Sequence, residues 1–398
     1  MSGAGVADPL RAVIDARAAL DPRKTGIGQY ADQIVRRLPL ADPDSSYVAW
    51  HLDPKGVRRG AFDGIAPNLT EAVGRFPNRW FEPVSSRLGR PRIDPRVGPF
   101  DVLLATNFLP PATRSRGVVP VVHDLAFDVF PETAPQVDAR WRRRFDEWLD
   151  RAARVIVPSE ATAADLMRLR GVDAALIEVV HHGSDSAFVP APPPVVADVR
   201  RRYGLGEGPY ALFVGGIEPR KNLEALVRAF GMAVADDPSV HLAIAGGKVR
   251  WFPEAAQSLD AAIASLPPSA RTRVIRTGYV GAEDKAALLT GATLLAYPSL
   301  YEGFGFPVLE AFAAGLPVLT STESSLPEVA GDAAVLVDPH NESAIAEGLL
   351  ALLSDGGLRE RLAEAGRLRL PRFTWEACAT RTSGVLHRAR AGAQARGQ

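Results

Sequence analysis

At 398 residues the chain is longer than a single hydrophobic core usually grows, so two domains are expected. Lys and Arg number 46, as do Asp and Glu, which leaves no global positive field to hold nucleic acid or an anionic surface; any such contact has to be local. The single cysteine, Cys378, excludes an intrachain disulfide and a cysteine zinc cluster. With no signal-peptide core at the N-terminus and no run near the roughly 20 apolar residues of a membrane span, a cytoplasmic protein is expected.

The first apolar run, Ala12–Ala16, has the length of a buried strand and leads through DPRKTGIG, ending at Gly28, into a helical pattern with Ile27, Tyr30, Ile34, Val35 and Leu38 on one face. Strand, glycine turn and helix can aim backbone N–H groups at an anion, or form a plain βα turn, and Gly26 and Gly28 alone do not separate the two. Asp42-Pro43-Asp44 imitates a metal-holding Asp-x-Asp pair, but it sits in a polar turn and not at a strand end, so turn chemistry is expected. From Asp53 to Val97 the chain is rich in Pro, Gly and Arg, with Trp80 and Phe81 reading as exposed; an irregular surface connection is expected there. Strands are predicted at Asp101–Ala105 and Val118–Val122, the second ending in His123-Asp124. A histidine beyond a strand's carboxyl end is either placed for chemistry or a structural hydrogen-bonder. Gln136–Arg154 reads as an amphipathic helix with aromatic residues on one side and six arginines on the rest. It is either a packing helix or a basic face that touches a membrane surface.

A further helix at Glu160–Arg170 and a strand at Leu176–Val180 lead to His181-His182-Gly183, and then to Val189-Pro-Ala-Pro-Pro-Pro194. Consecutive prolines continue neither a helix nor a central strand, so this is the expected domain boundary. Beyond it, strands at Tyr210–Val214, His241–Ala245 and Arg273–Arg276 alternate with helices at Leu223–Ala235, Glu254–Ser265 and Glu283–Thr290 and lead to Leu294–Pro339, which reads as apolar strand, glycine-rich loop, short helix, second strand, polar turn and third short strand. The expected fold class is α/β: two Rossmann-like, doubly wound parallel-sheet domains facing a cleft. The expected divisions are an N-terminal, acceptor-side domain over 1–188, a proline-rich linker over 189–208, a nucleotide-binding domain over 209–372, and a C-terminal helix with a polar tail over 373–398.

In such folds the ligand lies beyond the carboxyl ends of the strands. Arg220 and Lys221 stand at the start of a helix, where cations and unpaired N–H groups both favour an anion. The loop Gly303-Phe304-Gly305 precedes Pro307, a residue suited to a helix's first turn, so its amides are expected to face a phosphate. Glu302 and Glu310 flank that loop. Acids beside a phosphate repel it unless they face other groups, and hydroxyls of a sugar or ribose are natural partners. Glu310 can instead serve only to favour the helix N-terminus.

The segment Glu302–Glu310 resembles the Glu-x7-Glu motif of the retaining family 4 glycosyltransferases, which have the GT-B fold. The resemblance extends through TGIGQY, HDLAF, VPSEATAADL, VVHHGSD, VGGIEPRKNL, GLPVLTS, SSLPEV and GDAAVLVDP. It implies that Arg220 and Lys221 hold a donor diphosphate, that Glu302 takes the donor sugar's hydroxyls and that Glu310 takes the ribose. Phe304, Gly305 and Phe306 would offer backbone contacts, Gly26 and Gly28 would approach the phosphates, and His123 would stand near the donor sugar and the reaction centre. Gly215 belongs to the family's glycine motif; Gly216 occupies a position where many members carry arginine. The implied reaction moves a sugar from a nucleotide-diphosphate donor to a hydroxyl with retention, without metal or cofactor, the nucleotide sugar being a substrate. The departing diphosphate would deprotonate the incoming hydroxyl. The EPRKN, HDLAF and HHG segments resemble mannosyltransferases of polysaccharide assembly, which points to GDP-mannose, a saccharide or lipid-linked acceptor, and peripheral contact at an inner membrane face. A GT-B epimerase or phosphorylase, or a silent sugar-binding protein, is the alternative.

Overall fold

The computed structural model describes residues 9–395 except 22–24, 78–79, 82–83, 86–89, 132–133, 135–136, 185–187, 235–236, 238 and 250–251. The chain divides into two compact units. The first comprises Met1–Leu125, Val137–Gly183 and Trp375–Gln398; the second comprises Ala126–Gln136 and Ser184–Thr374.

In the first unit, β1 (Arg11–Asp15), β2 (Ser46–Leu52), β3 (Leu69–Gly74), β4 (Val102–Ala105) and β5 (Val118–Pro120) form a sheet in the order β3-β2-β1-β4-β5. Every pairing is parallel. The short parallel pair β6 (Val155–Val157) and β7 (Ile177–Val179) extends this sheet through a bridge between Val121 and Ile156. Helices cover both faces, so the inner strands are apolar throughout; β4 is VLLA and fully buried. The helix Gly26–Ala41 starts at Thr25, whose side chain accepts from the Gly28 amide, and buries Tyr30, Ile34, Val35 and Leu38. The helix Trp375–Ala395 packs against it.

The second unit holds β8 (Tyr210–Val214), β9 (His241–Ala245), β10 (Val274–Gly278), β11 (Leu294–Tyr297), β12 (Val318–Ser321) and β13 (Ala334–Val337), all parallel, in the order β10-β9-β8-β11-β12-β13. The switch of direction lies between β8 and β11, where strand order reverses and a ligand crevice forms. Both units are therefore doubly wound α/β folds.

Several expectations change. Residues 53–97 are not wholly irregular: β3 is an edge strand there, and a short helix covers Asp94–Val97. Phe81 is buried against Trp50 and Phe76, whereas Trp80 is exposed as expected. Residues 189–208, expected as a linker, carry the helix Pro193–Tyr203, with proline in its first turn, where a missing N–H costs nothing. That helix belongs to the second unit, burying Val199 and pairing Arg202 and Tyr203 with Asp284. The basic helix spans Ala139–Arg151, its predicted first residue, Gln136, lying outside the described residues. Its aromatic face is turned inward, with Phe145, Trp148 and Leu149 buried, leaving Arg140, Arg143 and Arg151 exposed beside Glu147 and Asp150.

Candidate active site

The chain leaves β8 through Gly215-Gly216, makes a short 3-10 turn at Pro219–Lys221 and enters the helix Leu223–Ala233 at Asn222. Asn222 adopts a left-handed conformation, and its side-chain amide donates to the carbonyls of Pro298 and Pro339. Those two bonds tie the turn to the ends of β11 and β13. The backbone bond from Leu300 N to Arg220 O, 2.8 Å, adds a third tie. As a result, Arg220 and Lys221 face the loop that follows β11.

Glu302 in that loop receives both cations. Lys221 Nζ lies 2.5 Å from Oε1 and Arg220 Nη1 lies 2.8 Å from Oε2. Tyr297, the last residue of β11, donates its hydroxyl to Oε1 at 2.7 Å and accepts from Lys221 Nζ at 2.5 Å. Arg220 also donates to Glu218 Oε2 and to the Tyr301 carbonyl. Glu302 and Lys221 are each only 6% exposed. Burial alone would raise the Glu302 carboxyl, but Lys221 and Arg220 together outweigh it and hold the group at about 2. Burial, with Arg220 adding to it, presses the Lys221 ammonium below its usual value. Two cations and two carboxylates cancel, so the cluster is neutral and its members hold one another in place.

Ser324 and Ser325 clamp the Glu302 carbonyl, at 2.5 and 2.8 Å, and Ser325 also reaches the Phe304 carbonyl. Gly305, at φ 118°, opens the helix Phe306–Ala313 with Pro307 in its first turn. Phe304 is buried against Phe306 and Phe373, so its side chain packs inward. Glu310 does not join the cluster; it is half-buried and pairs with Lys285 at 2.6 Å. Gly215 and Gly246 approach so closely that a Cβ on Gly246 would lie 1.6 Å from the Gly215 carbonyl oxygen. A Cβ on Gly216 would lie 2.8 Å from Val249 Cγ2. An arginine at 216 would need Val249 to move.

The first unit holds His123, Gly26 and Gly28. His123 follows β5, with Nε2 2.9 Å from the Thr106 carbonyl and Nδ1 3.3 Å from His182 Nε2. A carbonyl only accepts, so Nε2 of His123 carries the proton and Nδ1 of the neutral ring accepts from His182. Burial pushes both imidazoles below their usual value, and His123 and His181 push His182 further down. Tyr30 packs on both rings, and Trp375 stacks on His182. Thr106 also donates to the Asp15 carbonyl, and the Asp15 carboxylate takes two bonds from the Arg17 guanidinium, 2.8 and 2.7 Å. The Gly28 amide caps its own helix.

Asp42 is occupied structurally, accepting from Tyr47, Ser383 and His387. No group of three or more His, Cys, Asp or Glu suited to a metal gathers among the described residues. A cavity of about 590 Å³, lined by residues including Asp94, Phe100 and Arg114, opens in the first unit. It lies at the amino ends of β4 and β5, the edge of a parallel sheet away from the usual ligand position. Sequence reasoning missed Tyr297, Lys285, His182 and the Asp15–Arg17 pair. Tyr297 reads as one more apolar residue of LLAY, Lys285 and His182 meet partners 25 and 59 positions away, and Asp15 and Arg17, two positions apart, carry no motif that marks them.

A family model described as glycosyl transferases group 1 matches residues 196–369, and one described as glycosyltransferase family 4 matches residues 25–188. The chain is 30% identical over 367 residues to O-antigen chain mannosyltransferase B of Escherichia coli, covering 90% of this chain and 94% of that one. HepE of Anabaena, solved with UDP and glucose, matches with a TM-score of 0.69 at 17% identity, over 95% of this chain and 99% of that one. WaaG, a glycosyltransferase involved in lipopolysaccharide biosynthesis, matches with a TM-score of 0.65 at 16% identity over the same shares. At such identities the solved structures speak for the fold alone, and the sequence relative speaks for the family. The chain belongs to the family 4 glycosyltransferases and has their GT-B fold.

Proposed function

We propose that this glycosyltransferase moves mannose from GDP-mannose to a hydroxyl of a saccharide or lipid-linked acceptor, with retention and without metal. The observation that carries the donor reading is the Arg220–Lys221–Glu302 cluster at the carboxyl ends of β8 and β11. A cluster that Glu218 makes neutral, and whose members hold one another before the donor arrives, presents its cations in fixed directions, which is what charge stabilisation of a departing diphosphate requires. In this reading Lys221 and Arg220 meet the diphosphate, Glu302 orients them and accepts from the sugar, and the amides around Gly305 face the donor. Glu310 accepts from the ribose and shares its carboxylate with Lys285. The bond from the anomeric carbon to the diphosphate oxygen breaks, and the acceptor oxygen bonds that carbon on the same face. Its proton passes to the leaving phosphate oxygen. Both ring nitrogens of His123 are engaged within its own unit.

Mannose is favoured by the relative at 30% identity, itself named a mannosyltransferase. The test is product analysis: the enzyme with GDP-mannose and a mannosyl acceptor should yield an α-linked product by NMR, the anomeric configuration of the donor. A β-linked product would exclude retention, and a free epimerised sugar nucleotide would favour the epimerase reading.

A further inference from the structure

Tyr297 is fully buried, at the end of a strand whose other residues, Leu294, Leu295 and Ala296, are apolar. Its ring stacks on Phe213 with centroids 5.6 Å apart, a role that phenylalanine would fill without desolvating a hydroxyl. The hydroxyl therefore needs its own explanation, and its two partners supply one. An ammonium only donates and a carboxylate only accepts, so the direction of every hydrogen bond in the triangle is set: Lys221 to Tyr297, Tyr297 to Glu302, and Lys221 to Glu302. Lysine is a flexible stem ending in a rotor with three donors and no geometry of its own. Two acceptors at 2.5 Å fix two of its protons, and with them the direction of the third.

We propose that Tyr297 is a positioning residue, whose hydroxyl fixes the Lys221 ammonium in the orientation that meets the donor's diphosphate. The inference rests on the donor reading above. Lys221 is faced by Arg220, Glu218, Glu302 and Tyr297. Burial, reinforced by the Glu302 charge, raises the Tyr297 phenol well above its usual value, so it stays protonated through any assay range. Removing its oxygen takes an acceptor from the charged lysine and favours the neutral form.

The test is Tyr297→Phe, which keeps the ring and its packing. Its thermal midpoint should stay within a few degrees of wild type. Its kcat/KM for the nucleotide sugar should fall roughly ten- to a hundredfold, the scale of one hydrogen bond to a charged group. The alkaline limb of its pH profile should move to lower pH by about half a unit or more. Replacing Tyr297 with 3-fluorotyrosine keeps the hydroxyl but weakens it as an acceptor. It should shift both quantities the same way by less, and it decides the matter should the phenylalanine variant fail to fold. An unmoved alkaline limb overturns the inference, whether or not activity falls, because a purely structural hydroxyl would leave the limb in place. The donor reading is separated by Lys221→Met, scored by nucleoside-diphosphate binding. If that variant binds as tightly as wild type, the donor site itself is wrong and the role of Tyr297 falls with it. If it binds more weakly while Tyr297→Phe matches wild type, only the inference about Tyr297 fails.

Discussion

Glu302 is at once an expected sugar ligand and a buried structural anion, and the two roles call for different substitutions. Alanine at Glu302 would leave the buried Lys221 without its carboxylate, with a cost of about 3–5 kcal/mol, whereas alanine at Lys221 leaves Glu302 paired with Arg220. Loss of activity in the Glu302 alanine variant would then report on folding as much as on chemistry. Glu302→Gln keeps the shape and one acceptor, so it should remain folded by circular dichroism while turnover falls by about two orders of magnitude. Wild-type turnover in that variant would contradict the site. The same carboxyl also sets a pH dependence. Its folded value of about 2 lies below the ordinary 4.5, so its stabilisation is complete above 4.5 and is lost as pH falls from there through about 2. Acid unfolding monitored by fluorescence should therefore be shallower across that window in Glu302→Gln than in wild type. Equal slopes would place the source of acid sensitivity elsewhere.

At the scale of elements, the helix Trp375–Ala395 is tied to the first unit by a polar knot as well as by packing. Asp42 closes the helix Gly26–Ala41 and accepts from Tyr47 on β2 and from Ser383 and His387 on the C-terminal helix. Asp42→Ala leaves those donors without their common acceptor, and a loss of about 1–3 kcal/mol is expected, read as a thermal midpoint several degrees lower. An unchanged midpoint would show that apolar packing alone holds the helix. This aspartate also illustrates what sequence can and cannot carry. Its position in a polar turn argued against a metal, but nothing local pointed to partners more than 340 positions away. β8 and β9 were legible to the residue because they are short apolar runs bounded by turns. β3 was not: it is an edge strand containing Thr70 and Glu71, and Glu71 is spent on His51 and the Gly60 amide. The prolines at 192–194 read as part of a linker, whereas they open the helix Pro193–Tyr203 inside the second unit, since proline also starts helices. In the site, the residues with motif spacing were visible, whereas Tyr297 and His182 act through side-chain contacts that pattern does not encode.

On the scale of the whole molecule, equal numbers of acidic and basic residues leave surface binding to local patches. Peripheral membrane contact, expected from the sequence, would act through the charge of the helix Ala139–Arg151, whose Phe145, Trp148 and Leu149 are buried. Co-sedimentation with vesicles rich in anionic lipid should therefore be weak and abolished by about 0.5 M salt, where screening is nearly complete beyond a few ångströms. Binding that survives such salt would require an apolar insertion absent from this helix. Donor binding to the second unit should raise its apparent stability by mass action, by about 2.7 kcal/mol at one hundred times the dissociation constant. The most direct measurement is a thermal-shift titration of wild type with GDP-mannose, UDP-glucose, ADP-glucose and dTDP-glucose, run beside Glu302→Gln. The account predicts a concentration-dependent rise with GDP-mannose that is larger than with the others and reduced in the variant. No shift with any nucleotide sugar, or an equal shift in the variant, would contradict it.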